Sequence, residues 1–184
     1  MRNTQFNEFK TRNGRKVQDG GGVLPDLIID ELNTNSLTKA LEQNNVIFDF
    51  ATNYHYQNTI ENLGEISFSE NDFNDFKTFV SQSDFSYETK SEKAIKEAMG
   101  NEDSDVLGVA VQENYKTLLS EIEKSKFLAL DKYRKEIQKK LEDEIVKRYF
   151  YREGLFEFYL THDEAILAAT ELLSNEGKYR GILQ

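Results

Sequence analysis

The sequence predicts a mainly α-helical domain with one long helix, preceded by a short β-hairpin and strand. Three observations carry that expectation. The only proline, Pro25, and Gly14, Gly20, Gly21 and Gly22 all lie within the first 35 residues. Beyond them the chain is free of proline and rich in Glu, Lys, Leu and Ala, the composition of helices. Charge obeys the same boundary: residues 1–35 carry five basic and five acidic groups, so the net charge of −10 falls entirely on residues 36–184. Finally, apolar residues in that second part recur at intervals of three and four, the period of an amphipathic helix. The chain therefore divides into a β segment at 1–35 and a helical domain at 36–184.

Asn13-Gly14 between two short runs reads as a two-residue type I′ hairpin, because both central residues of that turn need positive φ. The run Val23-Leu24-Pro25-Asp26-Leu27-Ile28-Ile29-Asp30 reads as a strand, with Pro25 placing it at an edge or beginning it. A hairpin and one strand cannot bury two faces alone, so this segment calls for a larger sheet. Helices follow at 36–44, opened by Ser36, and at 46–57, where Val46, Phe50 and Tyr54 are spaced by four. Ser69 and Asp72 form a capping box before a helix with Phe73, Phe76 and Val80 on one stripe. The next helix spans 87–99 and stops at Gly100.

Ser104 opens a long pattern through Val109, Tyr115, Leu119 and Ile122, with a break expected near Lys124–Lys126. It resumes through Leu130, Tyr133, Ile137, Leu141 and Ile145. As one helix, residues 113–151 would extend about 58 Å, so the helix must break or project. Asp131–Lys135, Glu136–Lys140, Asp143–Lys147 and Glu144–Arg148 are spaced for i,i+4 pairs. Thr161 and Glu164 are spaced as a capping box for a last helix that ends by Gly177.

Composition excludes several functions. There is no cysteine, hence no disulfide, thiolate metal site or cysteine nucleophile. Twelve carboxylates against four lysines in residues 61–105 give that stretch a net −8, read as a solvated face. Such a chain is a poor partner for nucleic acid. No apolar run is long enough to span a membrane.

The residues also carry a resemblance. Phe9-Lys10-Thr11-Arg12-Asn13-Gly14-Arg15-Lys16-Val17, then Gly20-Gly21-Gly22-Val23-Leu24-Pro25-Asp26, resembles the end of the catalytic core in bacterial carboxyl-terminal processing peptidases, the tail-specific serine proteases. Gln18 departs from the family pattern, where an aromatic residue is commoner. Arg148-Tyr149-Phe150-Tyr151-Arg152-Glu153-Gly154, Asp163 and the closing Tyr179-Arg180-Gly181-Ile182-Leu183 are similar to the helical tail of one branch of that family. The resemblance implies a Ser/Lys dyad upstream of Gly14, hence no catalytic residue in this chain and no activity by itself. It implies as partners the remainder of the peptidase, with its catalytic core and PDZ domain, and protein or peptide substrates. It further implies a periplasmic or cell-envelope location. The helical part is expected to gate substrate, to dock on the core, or to self-associate as a homo-oligomer. The competing expectation is a free-standing helical interaction module without enzymatic activity.

No other motif earns a chemical role. His55 and His162-Asp163 read as helix-terminus residues, and no Gly-x-Ser-x-Gly elbow accompanies them. Gly20-Gly21-Gly22 lacks the Gly-Lys-Ser/Thr of a phosphate loop. Glu102-Asp103-Ser104-Asp105 lacks the glycine and distal glutamate of a calcium loop. Tyr149-Phe150-Tyr151, with Phe156, Phe158 and Tyr159, reads as a core between helices rather than a peptide groove. No catalytic, cofactor-binding or metal-binding residue is therefore assigned, and no cofactor is expected.

Overall fold

The computed structural model describes residues 7–12, 14–19, 25–29, 34–100, 106 and 108–183. Among them are eight α-helices and one two-stranded antiparallel sheet. The mainly α expectation, with a short hairpin ahead of the helices, therefore holds. The chain forms two compact units, Leu32–Leu155 and Met1–Glu31 with Phe156–Gln184.

The larger unit is built from α1 (Ser36–Gln43), α2 (Val46–Gln57), α3 (Glu70–Gln82), α4 (Lys90–Gly100), α5 (Val109–Lys132) and the first part of α6 (Arg134–His162). Its core joins Leu37 and Leu41 of α1, Ile47 and Phe50 of α2, Phe73, Phe76 and Val80 of α3, and Ile137, Leu141 and Ile145 of α6. Phe50 meets Phe76 edge-on, with ring centroids 5.2 Å apart, and Phe79 at 5.6 Å. Burying each such ring contributes about 1.5–3 kcal/mol. The intervals of three and four read from the sequence are the ones that face this core.

Helix starts differ from expectation in instructive ways. Ser69 and Asp72 form both halves of their capping box. At α1 the cap is Asn35, not Ser36: its side chain accepts from the Thr38 amide at 3.0 Å and donates to Glu136 at 2.7 Å. Glu136 also accepts from the Asn35 amide at 3.0 Å, so one carboxylate ties the start of α1 to α6. That long-range bond favours Asn35 over its neighbour. Asn45 turns α1 into α2 with φ 60°, a conformation that asparagine tolerates. Helix α4 starts at Lys90, three residues later than expected. Thr89 and Glu92 form a reciprocal pair at its N-terminus, with the Thr89 amide donating to Glu92 at 2.7 Å and the Glu92 amide to Thr89 Oγ1 at 3.1 Å. Gly100 is the last residue of α4 rather than the one after it. Ser104 lies outside the described residues; α5 begins at Val109 after Gly108.

The long helix does break, at Tyr133 (φ −103°, ψ 18°) rather than at Lys124–Lys126. The break turns α6 so that Ile137, Leu141 and Ile145 continue the core. Some of the charges spaced for i,i+4 pairs also bond across helices. Asp131 pairs with Lys77 at 2.8 Å and Lys140 with Glu42 at 2.9 Å, while Glu144–Arg148 forms as expected at 2.9 Å. Arg134 pairs with Glu70. Helix α6 contains a second break at Tyr151, φ 57° and ψ −159°, in a region nearly reserved for glycine. Close by, a Cβ on Gly154 would meet the Phe150 Cβ at 2.1 Å. Only glycine fits that bend.

In the smaller unit, β1 (Asn7–Lys10) pairs with β2 (Lys16–Asp19), with Phe9 opposite Val17 and Lys10 opposite Lys16. The connection corrects the expected two-residue turn. The Gly14 amide bonds to Thr11 O at 2.9 Å and the Thr11 amide to Arg15 O at 2.8 Å. The loop is thus three residues long, with Gly14 at φ 88° as the left-handed bulge residue of such loops. Asn13 itself lies outside the described residues. The strand expected at 23–30 is absent over the described residues 25–29. A strand needs a hydrogen-bonded neighbour, and the two-stranded sheet pairs only β1 with β2. Instead Arg15 pairs with Asp26. At the other end, α7 (Glu164–Ser174) and α8 (Glu176–Leu183) follow α6. Asp163, not Thr161, caps α7, accepting from the amides of Ala165 at 3.0 Å and Ile166 at 3.1 Å. Helix α7 ends at Ser174, ahead of Gly177 as expected, and a further helix that the sequence did not announce, α8, carries Gly177 inside it.

Candidate functional site

A concavity lies in the larger unit, where α1, α3 and α5 meet the segment that joins α3 to α4. It encloses about 190 Å³. Leu37, Val80 and Leu130 line it, and Phe85, Tyr87 and Phe127 supply aromatic walls. The α3–α4 segment has no helix or strand and alternates in burial, with Phe85 and Tyr87 half-buried and Ser86 and Glu88 exposed. That alternation is the period-2 habit of an extended chain, and it turns both rings toward the helices.

The polar side of the cleft is an ion cluster. Lys126 Nζ donates to Glu123 at 2.7 Å and to both oxygens of Glu92, at 3.0 and 3.3 Å. It also lies 4.9 Å from the centre of the Tyr87 ring. Glu92 is only 2% exposed. Burial by itself would raise its pKa, but the Thr89 amide and hydroxyl and the Lys126 ammonium hold it down to about 2. For Lys126, burial works toward a lower pKa, and the bonds to Glu123 and Glu92 outweigh it and raise the value. Lys126 is therefore an ammonium at neutral pH.

That charge state decides what the cleft can do. A lysine that activates a serine must be a neutral amine, and Lys126 is held protonated. Two of the three lining serines are committed as well. Ser83 Oγ donates to Val80 O at 2.8 Å and Ser81 Oγ to Thr78 O at 2.7 Å. The arrangement suits holding an apolar side chain rather than breaking a bond.

The residues weighed in the sequence fall elsewhere. His55 lies 4.4 Å from Tyr149, edge to face, while the Tyr149 hydroxyl donates to Asn58 O at 2.8 Å and His55 O at 3.3 Å. His162 stacks on Phe158 at 3.8 Å, and Asp163 is a helix cap. The two are adjacent but serve separate local roles. Of the aromatic run, Tyr149 packs against the core and Phe158 is buried, whereas Tyr151 is 75% exposed. Gly20–Gly22 and Glu102–Asp105 lie outside the described residues. Among the described residues, no group of three His, Asp or Glu side chains converges as a metal site, and no helix is long and apolar enough to cross a membrane.

Sequence reasoning passed over Glu92 and Lys126. Two signals were present. Thr89-x-x-Glu92 has capping-box spacing, and Lys126 continues the Tyr115, Leu119, Ile122 stripe where an apolar residue belongs. A charge on that stripe looked like a helix break; in the fold it is a partner for a buried carboxylate.

Comparison with known proteins gives one result. A family model described as "Probable PDZ-protease, C-terminal helical domain" matches residues 37–173, well over half of the chain. No curated protein and no solved structure matches.

Proposed function

The chain belongs to the family of C-terminal helical domains of probable PDZ-proteases, and from that membership we propose that it is the non-catalytic helical domain of a serine-type carboxyl-terminal processing endopeptidase. In this reading residues 1–35 are the last strands of the catalytic core and the Ser/Lys dyad lies in the part of the enzyme that precedes them. The enzyme hydrolyses peptide bonds in exported proteins of the periplasm or cell envelope. The helical domain gates substrate: an unfolded segment crosses it, with an apolar side chain seated between Phe85, Tyr87 and Phe127. One observation favours this role over a second catalytic centre. The cleft offers an apolar seat whose lysine and whose Ser81 and Ser83 hydroxyls are already bonded within the protein.

The test is kinetic. Phe127 lines the cleft yet is 47% exposed, so Phe127→Ala leaves the fold largely intact. In the intact peptidase this variant is expected to raise KM for an unstructured protein substrate several-fold with kcat unchanged, the signature of lost uniform binding. An unchanged KM contradicts the gating role.

A further inference from the structure

The cleft of the larger unit has an edge as well as an apolar wall. Where α3 ends, Ser83 is extended, with φ −83° and ψ 160°. From there half-buried Phe85 and Tyr87 alternate with exposed Asp84, Ser86 and Glu88. The segment has the habit of a strand, yet it belongs to no sheet among the described residues. The Phe85 amide donates to Ser83 Oγ at 3.3 Å. Among the described residues, the amides of Asp84, Ser86, Tyr87 and Glu88 find no acceptor within the protein. Unpaired peptide groups along an extended chain are a template for another strand.

Size and charge say which strand fits. The cleft encloses about 190 Å³, and an apolar cavity of ~150 Å³ takes up a benzene ring, so one bulky side chain fills it. When a peptide adds to an edge, its backbone supplies the hydrogen bonds and alternate side chains meet pockets. One seat beside the Asp84–Glu88 edge therefore takes one anchor residue. On the exposed face of that edge both ionisable residues, Asp84 and Glu88, are acidic. The cation of the cleft wall, Lys126, is shared between Glu92 and Glu123, which leaves that cluster one negative charge in excess. Glu123 keeps 64% of its side chain exposed. The surrounding residues 61–105 carry a net −8. Like charges opposite one another across a strand pair repel, and opposite charges attract.

We propose that the Asp84–Glu88 edge takes up an extended polypeptide segment rich in lysine or arginine as an added β-strand, with one bulky apolar residue of that segment seated between Tyr87 and Phe127. This rests on the reading of the cleft as a substrate gate and deepens it: the gate selects a basic unfolded segment and holds it by its backbone.

Binding to this chain tests it. The probe is a fluorescein-labelled peptide with blocked ends, alternating lysine and threonine around a central phenylalanine, followed by anisotropy. Replacing its lysines by glutamates is expected to weaken binding about tenfold or more, an effect that salt reduces. Methylating its backbone amides leaves its charges in place and should weaken binding by about as much, because strand addition draws its affinity from main-chain bonds. Saturating peptide should also slow hydrogen exchange at alternate amides of Asp84–Glu88 about tenfold or more, since only every second amide of a strand faces a given neighbour. Equal affinity for the glutamate peptide overturns the basic class, and undiminished affinity after methylation overturns strand addition. Protection of the same amides by a higher concentration of the chain, without peptide, overturns the proposal in favour of a second copy. If no peptide binds while Phe127→Ala still raises KM in the intact peptidase, this inference fails and the gate stands; if KM is unchanged as well, both fail.

Discussion

Lys126 shows how a single charge can hold an apolar seam together. It bonds Glu92 and Glu123 while lying by the Tyr87 ring. Lys126→Met leaves Glu92 buried without its cation and is expected to cost about 3–5 kcal/mol in urea unfolding. Adding Glu92→Gln should recover most of that loss, because the amide removes the stranded charge. The same pair sets an acid limit. Glu92 titrates near 2 when folded against an ordinary 4.5, so the unfolded chain binds more protons between those values. Its contribution is complete above about pH 4.5 and is lost as pH falls toward 2. Urea melts at pH 6 and pH 3 should show a drop that Glu92→Gln flattens. Gly154 is a second point where one atom decides. Gly154→Ala sets a Cβ 2.1 Å from that of Phe150, and thermal melts should register a loss of about 1–3 kcal/mol. Conversely, Tyr151→Gly releases the strain at φ 57° and should stabilise by about 1 kcal/mol.

Among the elements, α6 does most of the fastening. Arg148 reaches Phe48 O at 2.7 Å, Thr52 Oγ1 at 2.9 Å and Glu144 at 2.9 Å, and stacks 4.3 Å from the Phe48 ring. A planar guanidinium makes all of these at once; an ammonium does not. Arg148→Lys should therefore cost about 1–2 kcal/mol, measurable by chemical denaturation, with the loosening concentrated in α2 by hydrogen exchange. The elements were the most legible level of the sequence. Phe73, Phe76 and Val80, or Ile137, Leu141 and Ile145, declare their helices and their buried face by spacing alone. What spacing does not carry is a bond made far along the chain. Asn35 displaces Ser36 as a cap because Glu136, a hundred residues on, accepts from it. Lys126 continues a helix that it seemed to interrupt because Glu92 is there. The hairpin loop is legible in Gly14, but its length depends on whether Thr11 or Arg12 closes it, and composition does not separate those registers.

At the scale of the whole molecule, the boundary near residue 35 drawn from proline and charge separates sheet from helix, and the unit that holds the hairpin also takes in Phe156–Gln184. The family match over residues 37–173 agrees with the helical-tail resemblance read from Arg148 to Gly154, while the motif read from Phe9 to Asp26 lies outside it. The cleft was not legible, since its walls come from three helices and an extended segment. Its chemistry was legible only in part, as a negative stretch at 61–105 that supplies Glu92. Peptide hydrolysis tests the central assignment most directly, measured on an unstructured polypeptide with the intact peptidase and with this 184-residue chain alone. The intact enzyme should cleave it and the chain alone should not. Cleavage by the chain alone, abolished by replacing one of its own serines, would contradict its role as the non-catalytic domain.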